Sequence, residues 1–139
     1  MNGAGINLEI YECKPYPKSD PPHFLYLGRI MKEKGMDELF SAAEKLHDDG
    51  YKFVLDLVGF FEDEYKERVE LLESKGVVKF HGFQEEPRPY YATADCVVMP
   101  SYHEGMSNVN LEASATGRPV ITTNIPGCRE SVENEYTGW

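Results

Sequence analysis

Glu104 and Glu112 stand eight positions apart, the first in a loop and the second on the helix that the following residues predict. Between them, Gly105 and Ser107 precede a helical run of small residues from Val109 to Thr116, and Ser107 has the side chain of an N-cap. A helix N-terminus behind a glycine turn offers backbone N–H groups to an anion, an attraction of about 0.3–1 kcal/mol. Gly105, Met106, Ser107 and Asn108 therefore read as a phosphate cradle. Carboxylates accept hydrogen bonds from hydroxyls, so Glu104 and Glu112 suit a polyol such as ribose or a hexose, met from two depths of one pocket. The bland alternative is a solvated loop glutamate and a solvated helix face.

Arg29 and Lys34 supply cations. Arg29 closes an apolar strand, and Lys34 precedes Gly35 at the entrance of a helix. An arginine fork matches phosphate oxygens, and a charge-assisted hydrogen bond contributes about 1.5–3 kcal/mol. Lys32 and Glu33 lie between the two, so a solvated charge run competes with the phosphate reading. The 139 residues carry 24 acidic and 14 basic side chains, a formal charge of −10. That balance argues against non-specific binding to nucleic acid or anionic membranes, and it makes a local pair of cations informative.

Other chemistries fail on spacing. His103-Glu104 begins like a zinc-protease helix, but Ser107 takes the place of the second histidine. Gly105 to Val109 resembles a nucleophile elbow except that Val109 replaces the second glycine. Gly3-Ala4-Gly5 lacks the third glycine of a dinucleotide fingerprint, and no Walker A motif exists. Cys13, Cys96 and Cys128 are too scattered for a disulfide framework or a zinc knuckle. Cys96 opens an apolar run and is expected to be buried, whereas Cys128 follows a turn and is able to be exposed.

The elements that must position these residues alternate. Apolar strands are predicted at 24–27, 52–58, 77–80, 96–99 and 120–123. Helices are predicted at 36–47, 63–74, 87–94 and 109–116, several with a glycine stop at Gly50, Gly76 or Gly117. Near-continuous apolar strands alternating with helices predict an α/β fold, a Rossmann-like doubly wound parallel sheet covered on both faces. Every loop that follows a strand then lies at the carboxyl edge where such sheets bind ligands, and Gly28-Arg29, Gly59, His81-Gly82-Phe83, Tyr102 to Ser107 and Thr123-Asn124 fall there. Residues 1–22, rich in Gly and Pro, read as a linker or wrapping segment, and 23–139 as the domain. Five strands where six are common suggest a sheet truncated at its C-terminus. No secretory signal or membrane span is visible, so a cytoplasmic location is expected.

Phe24 to Arg29 with Lys34-Gly35, Phe80 to Phe83, Pro100 to Val109 leading to Glu112-Ala113, and Gly117 to Ile121 with Pro126 to Glu130 together resemble the C-terminal domain of family 4 retaining glycosyltransferases of the GT-B fold. The likeness runs from about residue 24 to the end, in order. It implies a nucleotide-sugar donor domain in which Arg29 and Lys34 bind the diphosphate, Glu104 the donor sugar and Glu112 the ribose. By the same resemblance the Gly105–Asn108 loop meets sugar and phosphate, and Gly82 and Phe83 meet the base. Arg29, Lys34 and Glu104 are the residues nearest the chemistry. No metal is expected, the donor is expected to be a UDP-sugar, and the acceptor a glycan or lipid-linked glycan. The acceptor would be held by an N-terminal domain outside this chain, through which the whole enzyme would touch the cytoplasmic face of a membrane. Alone, the chain is expected to be inactive. The run Glu104–Val109 with Ala115–Pro119 resembles bacterial capsule and surface-polysaccharide transferases. Asn110 departs from the family, which has an apolar residue there. An NDP-sugar epimerase of the same architecture and a non-catalytic nucleotide-sugar-binding module are the alternatives.

Overall fold

The computed structural model describes residues 7–104, 107–131 and 138–139. Gly105 and Met106 of the expected cradle lie outside the described residues. Five strands, β1 (His23–Leu27), β2 (Val54–Val58), β3 (Val78–Gly82), β4 (Cys96–Met99) and β5 (Val120–Thr122), form one sheet in the order β3-β2-β1-β4-β5. Every pairing is parallel, with Leu25 opposite Asp56 on one side and Val97 on the other. Parallel neighbours need crossover connections, and the crossovers carry α1 (Met36–Asp48), α2 (Lys66–Ser74), α3 (Arg88–Thr93) and α4 (Asn108–Thr116).

Alternation along the strands sends successive side chains to opposite faces. Tyr26, Leu55 and Leu57 pack under Met36, Leu39 and Phe40 of α1 and Val69 and Leu72 of α2. Leu25, Val58 and Val97 pack under Tyr91 of α3 and Ala113 of α4. Each such fully buried apolar side chain is worth about 1.5–3 kcal/mol. Helices thus cover both faces, as expected, and the strand order reverses between β1 and β4.

The differences from the predicted elements have local causes. Helix α2 starts at Lys66 rather than Asp63, because the Asp63 carboxylate accepts from the Lys32 amide at 2.8 Å and is held in the loop. Strand β3 runs on to Gly82, whose carbonyl accepts from the Gly59 amide at 2.9 Å. Leu46, expected on the core face of α1, is exposed. Cys128, read as able to be exposed, is fully buried: from the loop after β5 it packs into the α1/α2 core. At the chain's end Gly138 bridges to Val120 in parallel, and the Trp139 amide donates to the Val120 carbonyl at 2.7 Å.

Residues 7–22 lie against the α3/α4 side. The Lys14 amide donates to Thr116 O at 3.0 Å, and the Tyr16 hydroxyl to Asp95 O at 2.9 Å. Arg118, only 2% exposed, fastens this segment with Nη2 to Pro15 O at 2.8 Å and Nε to Tyr91 O at 2.9 Å.

Candidate functional site

Two loops meet where the sheet order reverses. After β1 the chain makes a 3-10 turn at Lys32–Lys34, and after β4 it runs through Pro100 to Glu104. The Tyr102 amide donates to Glu33 O at 2.8 Å, and the Ser101 hydroxyl to His103 O at 3.0 Å. Gly35 makes the approach possible: its φ is 77°, and a Cβ there would stand 2.0 Å from Pro100 O. Only glycine accepts that conformation without strain.

The zipped loops bring together residues 70 positions apart. Lys34 Nζ lies 2.5 Å from Glu104 Oε1, and both side chains are about one-sixth exposed, 16% and 15%. Beneath them the Tyr26 hydroxyl donates to the Arg29 carbonyl at 2.6 Å, fixing the backbone from which the Arg29 side chain leaves. Burial pushes the Tyr26 phenol far above its usual range, the Glu104 carboxylate pushes it further, and Arg29 opposes, so both charges bear on that one hydroxyl. Arg29 itself is half exposed, with Glu62 Oε2 at 3.9 Å from Nη1.

The first turn of α4 forms the facing wall. Ser107 caps it as expected: its side chain accepts from the Asn110 amide at 3.2 Å, and its own amide donates to Gly127 O at 2.9 Å. Glu130 Oε2 accepts from the Gly127 amide at 2.7 Å, which braces that loop. The result is an open cleft of about 280 Å³ lined by Leu27, Gly28, Arg29, Lys34, Met99, Glu104, Ser107, Asn108 and Val109.

Glu112 does not line this cleft. It sits one turn beyond Asn108 on α4, half-buried, with Oε2 accepting from the Tyr91 hydroxyl at 2.7 Å. Gly82 and Phe83 lie farther along the same carboxyl edge, at the end of β3, two strands from β1. Phe83 is exposed, its ring edge-on to Phe60 of the loop after β2, with centroids 6.2 Å apart. His103 is exposed beside Glu104.

Asp56 and Tyr91 were not read from the sequence, and Asn110 was read there only as a departure from the family. Asp56 in mid-β2 holds two histidines, His23 Nδ1 at 3.0 Å and His81 Nε2 at 2.7 Å, one from each flanking strand. An aspartate inside Val54-Leu55-Asp56-Leu57-Val58 was the available signal, since a half-buried carboxylate in an apolar strand requires partners. Tyr91 gave none, because an aromatic on a short helix reads as core. Asn110 is wholly buried, its Nδ2 donating to Thr122 Oγ1 and Ser131 Oγ at 3.1 Å each, while Oδ1 has no partner among the described residues. Both hydroxyls donate onward to carbonyls, Thr122 to Met99 O and Ser131 to Cys128 O, so they take the amide's donors and fix its orientation. Among the described residues no group of three or more His, Cys, Asp or Glu side chains is placed to hold a metal ion. No helix there is long and apolar enough to cross a membrane.

Residues 12–139 match the family model described as Glycosyl transferases group 1. The chain belongs to that family. Its relatives include the capsular polysaccharide biosynthesis glycosyltransferase CapM of Staphylococcus aureus, 34% identical over 118 residues that cover 82% of this chain and 31% of CapM. The fold matches the C-terminal domain of the group 1 glycosyl transferase LpcC from Francisella tularensis, with TM-score 0.78, 22% identity, and 97% of this chain laid on 78% of that one. Anabaena HepE, solved with UDP and glucose, matches with TM-score 0.77 at 22% identity, over 99% of this chain and 41% of HepE. The sheet is thus that of a GT-B C-terminal domain. This group 1 glycosyl transferase chain spans about a third of the length of the curated relatives it matches.

Proposed function

We propose that this chain is the donor-binding domain of a retaining, family 4 glycosyltransferase that takes a hexose from a UDP-sugar and passes it to a glycan or lipid-linked acceptor. The observation that carries this reading is the convergence of Arg29, Lys34, Glu104 and the first turn of α4 on one cleft at the switch point of a parallel sheet. HepE, of the same fold, was solved with UDP and glucose, and CapM acts in capsule biosynthesis by its name; both support the reading.

In this assignment Arg29 and Lys34 bind the diphosphate, with Ser107, Asn108 and the α4 N-terminus on the same cleft, and the Gly105–Asn108 loop gives its amides to sugar and phosphate. Lys34 has three donors and gives one to Glu104. The pair holds the ammonium over the cleft while the second carboxylate oxygen faces a sugar hydroxyl. Glu112 takes the ribose, and the edge at Gly82 and Phe83 takes the base. As the glycosidic bond breaks, charge builds on the leaving diphosphate. Groups fixed beforehand around it stabilise the transition state more than the ground state, with no step requiring a metal. The acceptor is held by a second domain of the whole enzyme, at the cytoplasmic side of a membrane, and without it this chain binds donor and transfers nothing.

Calorimetric titration of UDP and UDP-glucose tests the reading. Arg29→Ala and Lys34→Ala should each weaken binding about tenfold or more, the loss of one charge-assisted contact. Unchanged affinity in both variants would remove the diphosphate assignment. Product analysis showing interconversion of the free nucleotide sugar without acceptor would instead mark an epimerase.

A further inference from the structure

We infer that Tyr91 is a positioning residue for Glu112, its buried hydroxyl donating to one carboxylate oxygen so that the other is presented to the diol of a bound nucleotide. The inference rests on the proposed reading of Glu112 and adds a residue to it. Tyr91 on α3 is fully buried, in the core formed with Leu25, Val58 and Ala113. The polar atom of this apolar ring finds its partner in Glu112, 21 positions on, at 2.7 Å from Oε2. Its own helix end is pinned as well, since Arg118 donates to the carbonyls of both Tyr91 and Ala92, at 2.9 and 3.0 Å.

Orientation follows from this arrangement. A glutamate on a helix face has three rotatable bonds, and immobilising such a side chain on binding costs affinity. The Tyr91 hydroxyl fixes the carboxylate beforehand. One donor at Oε2 leaves most of the four lone-pair sites of the carboxylate open to ligand hydroxyls. Burial, followed by the adjacent Glu112 charge, raises the phenol of Tyr91 far above its usual range, so it remains a donor at any working pH. On the outer side Tyr11 stands edge-on to Tyr91, centroids 6.0 Å apart, and is itself raised by burial and then by Glu112. Tyr11, from the segment that precedes β1, thus packs against the ring whose hydroxyl holds the carboxylate.

Tyr91→Phe and Glu112→Ala are titrated with UDP, 2′,3′-dideoxy-UDP and pyrophosphate, with melting curves recorded in parallel. The expected result is a loss of about five- to tenfold for UDP in Tyr91→Phe, the order of one hydrogen bond, with the other two ligands unchanged. Glu112→Ala should show the same selectivity with a larger loss. Equal weakening of all three ligands by Tyr91→Phe would mean a packing role and overturn the inference. So would an unaltered UDP affinity in Tyr91→Phe beside a weakened one in Glu112→Ala. If Glu112→Ala leaves UDP binding intact, or the unaltered chain does not bind UDP, the reading of the site fails first and the inference falls with it. Should Tyr91→Phe not fold, the Tyr91 hydroxyl proton in the unaltered chain is the readout by NMR. It should shift on adding UDP and stay in place with pyrophosphate; no shift with UDP contradicts the proposal.

Discussion

Arg29 and Lys34 carry the same charge into the same cleft under different constraints, and substitution should separate them. Arg29 is half exposed with its nearest carboxylate at 3.9 Å, and such pairs contribute about 0–1 kcal/mol. Arg29→Ala should therefore lower UDP affinity with little change in melting temperature. Lys34 is mostly buried and closes on Glu104 at 2.5 Å. Its loss leaves a carboxylate poorly solvated, so Lys34→Ala should cost affinity and also about 1–3 kcal/mol of stability. Chemical denaturation alongside titration checks both, and equal stability in the two variants would contradict the asymmetry. The residue types were legible in the sequence because phosphate and polyol recognition need cations and carboxylates. The Lys34–Glu104 contact was not legible, since it depends on two loops 70 positions apart meeting across β1 and β4.

Among the elements, the segment before β1 is held by two polar anchors that make opposite kinds of prediction. Arg118 is buried among backbone carbonyls, reaching Lys14, Pro15, Tyr91, Ala92 and its neighbour Gly117. Arg118→Ala would strand several of those acceptors at about 1–3 kcal/mol each, so a loss of at least about 3 kcal/mol is expected by urea denaturation. Lysine, a point charge without the fork, should recover only part of it. Asp95 accepts from the Ser19 amide at 2.9 Å and the His23 amide at 2.7 Å. Burial opposes its ionisation, but those amide bonds outweigh it and hold the carboxyl below its ordinary range. A folded value below the unfolded one means that the stabilisation is full above the unfolded value, about pH 4, and is lost as pH falls through the folded one. Asp95→Asn should accordingly flatten the fall in stability below about pH 4, measured by denaturation at pH 3 and pH 6; an unchanged slope would refute the assignment. Helix and strand identities were readable from hydrophobic period, as α1 and β4 show. Boundaries were misread where a side chain was claimed by a distant loop, as Asp63 is by Lys32.

For the molecule as a whole, the order β3-β2-β1-β4-β5 decides what the local chemistry becomes. It places the ends of β1 and β4 side by side and so turns Arg29, Lys34, Glu104 and Asn108 into one lining. The doubly wound class followed from alternating periods in the sequence. The distance of Glu112 and Phe83 from that lining did not follow, because spacing along the chain says nothing about which wall of a cleft a helix turn faces. With a formal charge of −10, the chain repels a nucleotide diphosphate everywhere except where cations are held in place. Binding should therefore be local, and an amide-resolved titration of the isotope-labelled chain with UDP is the direct test. The account predicts shifts concentrated at Gly28, Arg29, Lys34, Asn108 and Val109 and extending to Glu112. Shifts confined to another face, or none at saturating UDP, would contradict it.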